Sequence, residues 1–360
     1  KEELNKMKKK ILITTGGSGG HVIPALILYN HLFKKFDIII TTDKRGLNFF
    51  DKKINKLKII NTPRLNNIFL LPFNLFKILF LTLKSFFLIK GQKIEKIIST
   101  GGYMSLPLIL AAKFCRLKIY LLEPNLVLGR SNRFFLNSCE KILCYSDQIK
   151  NFPNQFKNKI VLINPLVREE FYKIDQNKIK KSQFNLLIIG GSQGATIFDE
   201  NLKNFIVNVS KKYSIKIIQQ TRKKNVLNLE KFYTDKNIEN FIFSFNDNFK
   251  KIIQETDLSI TRAGASTLAE LSISNIPFLA VPLPTSKDKH QLENANFYKN
   301  KDCCWVLEQN KFEDNVEQIL LNILENREDL LRKKENLKKL NYQNTWINVN
   351  QKILSIINEN

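Results

Sequence analysis

The stretch Ile11-Leu-Ile-Thr-Thr-Gly-Gly-Ser-Gly-Gly-His21-Val-Ile-Pro-Ala25 decides the fold. A short apolar run enters a glycine cluster, and a second apolar segment leaves it. This pattern predicts a strand, a tight turn and the start of a helix. Gly16, Gly17, Gly19 and Gly20 leave the backbone bare, so a ligand can approach main-chain N–H groups. The positive end of the following helix opens onto the same space and favours an anion. His21 closes the turn, and the chain has only two other histidines, His31 and His290. Common nucleotide motifs do not fit. No Gly-Lys-Ser/Thr ends the turn as a Walker loop requires, and Val22 stands where a G-x-G-x-x-G fingerprint needs its third glycine. A merely structural turn needs fewer glycines than four in five residues.

Working outward, 360 residues predict two domains, and 43% apolar residues supply their cores. The net charge of +24 fits nucleic acid, an anionic membrane surface or anionic substrates. Lysines are scattered along the whole chain, so a general compositional bias accounts for part of that charge. The five cysteines form no C-x-x-C pair and no Cys/His metal spacing, which fits a reducing compartment. No signal-type apolar core precedes the first strand, so the expectation is a protein that is not secreted.

A helix over 22–35 and a strand over 37–42 complete a strand–helix–strand unit, hence a parallel sheet. The segment 68–89 is nearly long enough to span a bilayer, but Pro72, Asn74, Lys77 and Lys84 interrupt it. From Asn74 onward it reads as a helix whose narrow polar face carries Asn74, Lys77, Lys84 and Ser85. Two readings stand: a patch that dips into an anionic membrane, with Arg64, Lys90 and Lys93 beside it, or a helix buried between sheet and neighbours. Strands at 96–99 and 118–122 lead into Thr100-Gly-Gly-Tyr103 and Glu123-Pro-Asn125, with a helix over 106–114 between them. Glu123 at a strand's carboxyl end lies where open α/β sheets bind ligands; a solvated or capping carboxylate is the plainer reading.

Residues 161–168 read as a crossing between domains. Phe184-Asn-Leu-Leu-Ile-Ile189 then enters Gly190-Gly-Ser-Gln-Gly-Ala195 and repeats the opening design. The expected fold is α/β, with two Rossmann-like domains facing a cleft. Further strands are predicted at 216–219, 258–261 and 278–281. At Thr261-Arg-Ala-Gly-Ala-Ser-Thr-Leu-Ala-Glu270, Gly264 opens a helix whose first turn, Ala265, Ser266 and Thr267, can hold phosphate. Asn294 and Ala295 are expected at a helix start, and 345–357 forms a last helix with Trp346, Val349, Ile353 and Ile356 on one face. No D-x-D pair supports a chelated metal, so a leaving diphosphate would be met by helix ends and by Arg168 or Arg262. Such a constellation suits sugar transfer from a nucleotide diphosphate sugar. His21 and Glu123 are both candidates for the general base.

Gly16–His21, Gly190–Ala195, Thr261–Glu270 and His290-Gln-x-x-Asn-Ala295, in this order, resemble the MurG family of peptidoglycan glycosyltransferases. The resemblance covers roughly residues 10–340. It implies a GT-B fold with an acceptor and membrane-associating domain over 1–163, a donor domain over 164–341, and a C-terminal helix over 342–360 that packs back on the first domain. The implied reaction moves N-acetylglucosamine from UDP-N-acetylglucosamine to lipid I, making lipid II with inversion, on the cytoplasmic face of the bacterial inner membrane. No cofactor, metal or nucleic acid is implied. Donor contacts are implied for Ser18, Gly19, Asn125, Ser192 and Gln193, for Arg168, Ala265, Ser266 and Thr267 at the diphosphate, and for Arg262. Glu270 would take the ribose hydroxyls, His290 and Gln291 the N-acetylglucosamine, and Asn246 the uracil through its backbone. Gly16, Gly17, Gly20 and Tyr103 would receive the acceptor. A lipid acceptor favours the membrane reading of 68–93. The sequence departs from the family at Glu123-Pro-Asn125, which lacks a glutamine, and at Ile163-Asn-Pro-Leu-Val-Arg168. A GT-B transferase using another lipid acceptor, such as diacylglycerol, shares the donor signals.

Overall fold

Strands whose two faces are both apolar are stable only when both faces are covered, and a parallel sheet between helices does this. The computed structural model describes residues 8–50, 56–63, 69–174, 183–191, 196–244, 246 and 249–359. In it the chain divides into two compact units: Lys1–Leu166 with Ile347–Asn360, and Val167–Trp346.

The first unit holds a seven-stranded sheet in the order β3-β2-β1-β4-β5-β6-β7. Its strands are β1 (Lys10–Thr14), β2 (Asp37–Thr42), β3 (Leu57–Ile59), β4 (Lys96–Ser99), β5 (Lys118–Glu123), β6 (Lys141–Cys144) and β7 (Ile160–Leu162). All neighbours pair in parallel. The helices α1 (Gly19–Leu32), α2 (Leu71–Gln92), α3 (Leu106–Phe114) and α4 (Arg130–Phe135) connect them. β3, β6 and β7 escape a reading by apolar pattern. β3 and β7 are only three residues long, and the supposed domain crossing begins inside β7.

The second unit repeats the design with β8 (Phe184–Ile189), β9 (Ile215–Gln220), β10 (Glu239–Phe243), β11 (Leu258–Thr261), β12 (Phe278–Ala280) and β13 (Cys304–Val306). Their order is β10-β9-β8-β11-β12-β13, again parallel throughout. Phe184, Leu186 and Ile188 enter one core, and Leu187 and Ile189 the other, as the two-residue period of a strand requires. The helices here are α5 (Lys203–Ser210), α6 (Val226–Asp235), α7 (Phe249–Glu255), α8 (Ala265–Ile273), α9 (His290–Lys299), α10 (Phe312–Glu325) and α11 (Arg327–Leu340). α9 starts at His290, so Asn294 lies in its middle and not at its start.

The last helix, α12 (Trp346–Asn358), seals the first unit with Val349, Ile353, Ile356 and Ile357. Buried Lys96 donates to the carbonyls of Ile357 and Glu359, and Asn350 donates to the His31 carbonyl at 2.9 Å. Trp346 is half-buried, and its ring lies 6.0 Å from that of Tyr172, both within the second unit.

Candidate active site

In an open parallel sheet, loops leave in opposite directions where the strand order reverses, and a crevice opens at the carboxyl ends there. In the first unit this point lies between β1 and β4. Ser99, Thr100 and Thr15 bond one another's segments at this end: Thr100 Oγ1 donates to Thr15 Oγ1 at 2.8 Å, and Gly101 N to Ser99 Oγ at 3.1 Å. His21, at the start of α1, reaches across so that Nδ1 lies 2.8 Å from the Thr100 carbonyl. A carbonyl only accepts, so Nδ1 carries the hydrogen and Nε2 the lone pair of the neutral ring. Gly101 and Gly102 have φ of +88° and +82°. A β-carbon on Gly101 would stand 3.3 Å from the His21 ring. These glycines let the turn close over the imidazole.

The glycine turn itself divides in two. Gly16 and Gly19 are buried, and added β-carbons would meet Asp43 and Met104 in one case and the Phe49 ring at 3.1 Å in the other. Close packing explains these two. Gly17, Ser18 and Gly20 stand at the surface of the turn. Tyr103 lies in the turn after β4, and its hydroxyl accepts a bond from Arg45 Nη2 at 2.8 Å. Asp43, almost wholly buried, accepts from Gly17 N and Gly46 N, both at 2.9 Å, and from Arg45 Nε at 3.0 Å. Burial pushes this carboxyl up, but the donors outweigh it and hold it below its usual range. Asp43 and Arg45 carry no sequence signal beyond following a strand.

Glu123 is buried, not solvated. Its Oε2 accepts from Gly129 N at 2.7 Å and Asn132 Nδ2 at 2.9 Å. Its Oε1 accepts from Asn125 N at 3.2 Å and Asn125 Nδ2 at 3.1 Å. The side chain is 2% exposed, and burial pushes its carboxyl above the usual range against the pull of those donors. Both oxygens are engaged in pinning the 123–132 loop, Asn125 included.

In the second unit the strand order reverses between β8 and β11. Gly190 and Gly191 follow β8; Ser192 and Gln193 lie outside the described residues. After β11, Gly264 caps α8 in extended conformation, and Ala265, Ser266 and Thr267 form a half-exposed first turn. N–H groups in a first turn lack helical acceptors. On the next turn Glu270, 7% exposed, accepts from Arg168 Nε at 2.8 Å. Burial pushes the Glu270 carboxyl up, partly offset by Arg168. Arg168 also meets Glu170 at 3.2 Å and lies over the rings of Phe171 and Phe249. Gln291 Oε1 accepts from Ala263 N at 3.2 Å and Leu283 N at 3.0 Å, while Asn294 donates to the Ala263 carbonyl. α9 therefore fixes the loop that starts α8. His290 Nδ1 lies 2.8 Å from the Lys287 carbonyl. Asn246 is half-buried, with 245, 247 and 248 outside the described residues.

Arg262 departs from its expected role at a leaving group. It is 8% exposed and donates to the carbonyls of Val281 and Pro282 and to Gln309 Oε1 at 2.7 Å. Its guanidinium also covers the Phe198 ring. A buried guanidinium must satisfy its donors locally, and here protein acceptors take them.

α2 also departs from the expected single polar face. Asn74, Ile78, Thr82, Ser85 and Ile89 turn inward, while Lys77 and Lys84 are exposed. Thr82 and Ser85 satisfy their hydroxyls on the carbonyls one turn back. The outward face is apolar: Phe73, Phe76, Leu79, Phe80, Leu83 and Phe87 are each more than half exposed. By length and composition the helix is long and apolar enough to cross a membrane, with 22% of its most apolar window buried. Arg64 and residue 68, in the stretch before it, lie outside the described residues.

Comparison with known proteins meets this geometry in both halves. The profile of the glycosyltransferase family 28 N-terminal domain matches residues 11–144, and that of the family's C-terminal domain matches 185–345. The chain belongs to glycosyltransferase family 28. Among family 28 relatives, the UDP-N-acetylglucosamine--N-acetylmuramyl-(pentapeptide) pyrophosphoryl-undecaprenol N-acetylglucosamine transferase of Pelagibacter ubique (strain HTCC1062) is 52% identical over 357 residues, covering 98% of this chain and 100% of that one. The transferase of the same name from Rickettsia felis is 33% identical over 345 residues, covering 92% and 95%. The crystal structure of Acinetobacter baumannii MurG superposes with a TM-score of 0.74 at 23% identity, over 92% of this chain and 95% of that one. A UDP-N-acetylglucosamine 2-epimerase shares the fold at a TM-score of 0.64 and 12% identity, over 92% and 91%. The family 28 match accounts for both glycine turns and the α8 start as parts of one glycosyltransferase.

Proposed function

We propose that this family 28 chain transfers N-acetylglucosamine from UDP-N-acetylglucosamine to lipid I and so forms lipid II for peptidoglycan. The observation that carries the reading is the imidazole of His21, its tautomer set by the Thr100 carbonyl, at the strand reversal of the first unit. His21 Nε2 takes the proton of the acceptor sugar hydroxyl as its oxygen bonds to the anomeric carbon. The bond from that carbon to the diphosphate breaks in the same displacement, so the configuration inverts. UDP leaves with the bonding electron pair, and its new charge falls on the first turn of α8, Ala265 to Thr267, and on Arg168. Glu270, steadied by Arg168, receives the ribose hydroxyls. Gln291 and His290 serve the N-acetylglucosamine, Asn246 the uracil, and Ser18, Ser192 and Gln193 the donor side. Gly17, Gly20 and Tyr103 serve the acceptor. Glu123 acts as a positioning residue through Asn125.

The apolar outer face of α2, with Lys77, Lys84, Lys90 and Lys93 exposed along and just after it, supports attachment to an anionic membrane surface. On this reading the chain works at the cytoplasmic face of the bacterial inner membrane, where a lipid-linked acceptor would be met.

The test is transfer of label from UDP-N-acetylglucosamine to lipid I or to diacylglycerol, each in anionic vesicles. Label on lipid I supports the proposal, and label on diacylglycerol alone overturns it. His21→Ala should lower kcat by ~10²–10⁴ with a smaller change in donor KM.

A further inference from the structure

Three neighbouring strands, β2, β1 and β4, end side by side, and one side chain joins the loops that follow the outer two. Arg45, after β2, donates from Nη2 to the hydroxyl of Tyr103, after β4, at 2.8 Å. Its guanidinium therefore lies across the carboxyl end of β1, where the glycine turn begins. A β-carbon on Gly17 would stand 3.4 Å from Arg45 Nη2. The bare backbone at Gly17 leaves that edge of the guanidinium reachable from the turn. The Arg45 side chain is 44% exposed, whereas its partner Asp43 is 3% exposed.

We propose that Arg45 binds the pyrophosphate of the lipid-linked acceptor beside Gly17 and sets the preference for a pyrophosphoryl over a monophosphoryl acceptor. The inference rests on the acceptor reading above. The ion pair with Asp43 does not cancel the site. Asp43 shares its buried charge among Gly17 N, Gly46 N and Arg45 Nε. The outward edge of the guanidinium remains for a ligand. A guanidinium already fixed at Nε and Nη2 loses little freedom when it binds an anion. Its planar fork matches the oxygens of phosphoryl groups. A pyrophosphate offers more charge and more oxygens to this fork than a single phosphate does.

The experiment measures kcat and KM of the full chain in vesicles with lipid I and with its monophosphoryl counterpart. Wild type, Arg45→Gln, Arg45→Lys and Tyr103→Phe are compared. Arg45→Gln should lower kcat/KM on lipid I by ~10–100-fold, mostly through acceptor KM, with donor KM within about twofold. It should lower the preference for the pyrophosphoryl acceptor by roughly fivefold or more. Arg45→Lys should recover part of that preference, because it keeps charge without the fork. Tyr103→Phe should shift it in the same direction by less. Equal losses on both acceptors, or none, would overturn the proposal while leaving the transfer reading intact. A wild-type protein inert toward lipid I would overturn both.

Discussion

Replacing Glu123 by Gln separates a residue that holds a loop from one that does chemistry. Four donor contacts reach the carboxylate, two on each oxygen. An amide group presents one oxygen and one NH2. The oxygen will stay with the shorter pair, Gly129 N and Asn132 Nδ2, because Asn132 is buried and cannot turn to water. The NH2 then points at Asn125, which is half-buried and can move. Two charge-assisted bonds become neutral ones, and two are lost with partial solvent rescue. Bonds to charged groups are worth about 1.5–3 kcal/mol each and neutral ones about 1. The carboxyl pKa is raised because burial outweighs these donors for the charged form, so removing the charge returns part of the loss. The net expectation is a loss of about 2–4 kcal/mol in the stability of the first unit. Urea unfolding followed by circular dichroism measures it, and faster hydrogen exchange at Gly129 N locates it. kcat should fall less than for His21→Ala, with donor KM rising as Asn125 loosens. A Glu123→Gln protein as stable as wild type, yet slower by ~10²-fold or more in kcat, would refute this reasoning and return the carboxylate to the reacting atoms.

Three further outcomes follow from the same geometry. Glu270→Ala should raise the KM for UDP-N-acetylglucosamine by roughly tenfold or more in initial-rate assays, with lipid I KM little changed. Phe80→Ser with Phe87→Ser should weaken vesicle sedimentation by roughly 30-fold or more, since each exposed ring forfeits about 1–2 kcal/mol of burial in lipid. The same pair should leave the melting temperature unchanged, because both rings face outward; unfolding of the variant would favour a buried helix instead. Asp43→Asn should destabilise the first unit by about 1–3 kcal/mol at neutral pH. The folded carboxyl titrates below its usual 3.8, so its stabilisation is complete above that value and is lost as pH falls through the lower folded value. The stability gap between wild type and Asp43→Asn, followed by urea midpoints, should therefore close below pH 3.8.

Much of the architecture is written locally. Apolar runs such as 184–189 bury both faces, so they can only be strands of a covered parallel sheet. The strands at 37–42, 96–99 and 258–261 and the helix at 106–114 occupy their expected spans. The short edge strands β3, β7 and β13 carry three residues each, too few for a period to register. The place of a candidate site is legible where consecutive residues make a turn, as at Gly17 and Ala265–Thr267. A role is illegible where distant side chains decide it. Arg262 reads as a cation at a phosphate turn, yet carbonyls contributed by Val281 and Pro282 absorb it.

The glycine turn at 16–20 shows both halves of this. Composition alone dictates a bare backbone between a strand and a helix, because no other residue type allows it. How closely each glycine is enclosed is decided by Asp43, Phe49 and Met104, brought in from loops far along the chain. The apolarity of α2 is likewise a property of its sequence. That its polar residues Asn74 and Ser85 face the body while Phe73, Phe76, Phe80 and Phe87 face out is a property of the fold. A helix's pattern shows that its sides differ, and only the neighbours packed against it determine which side is covered.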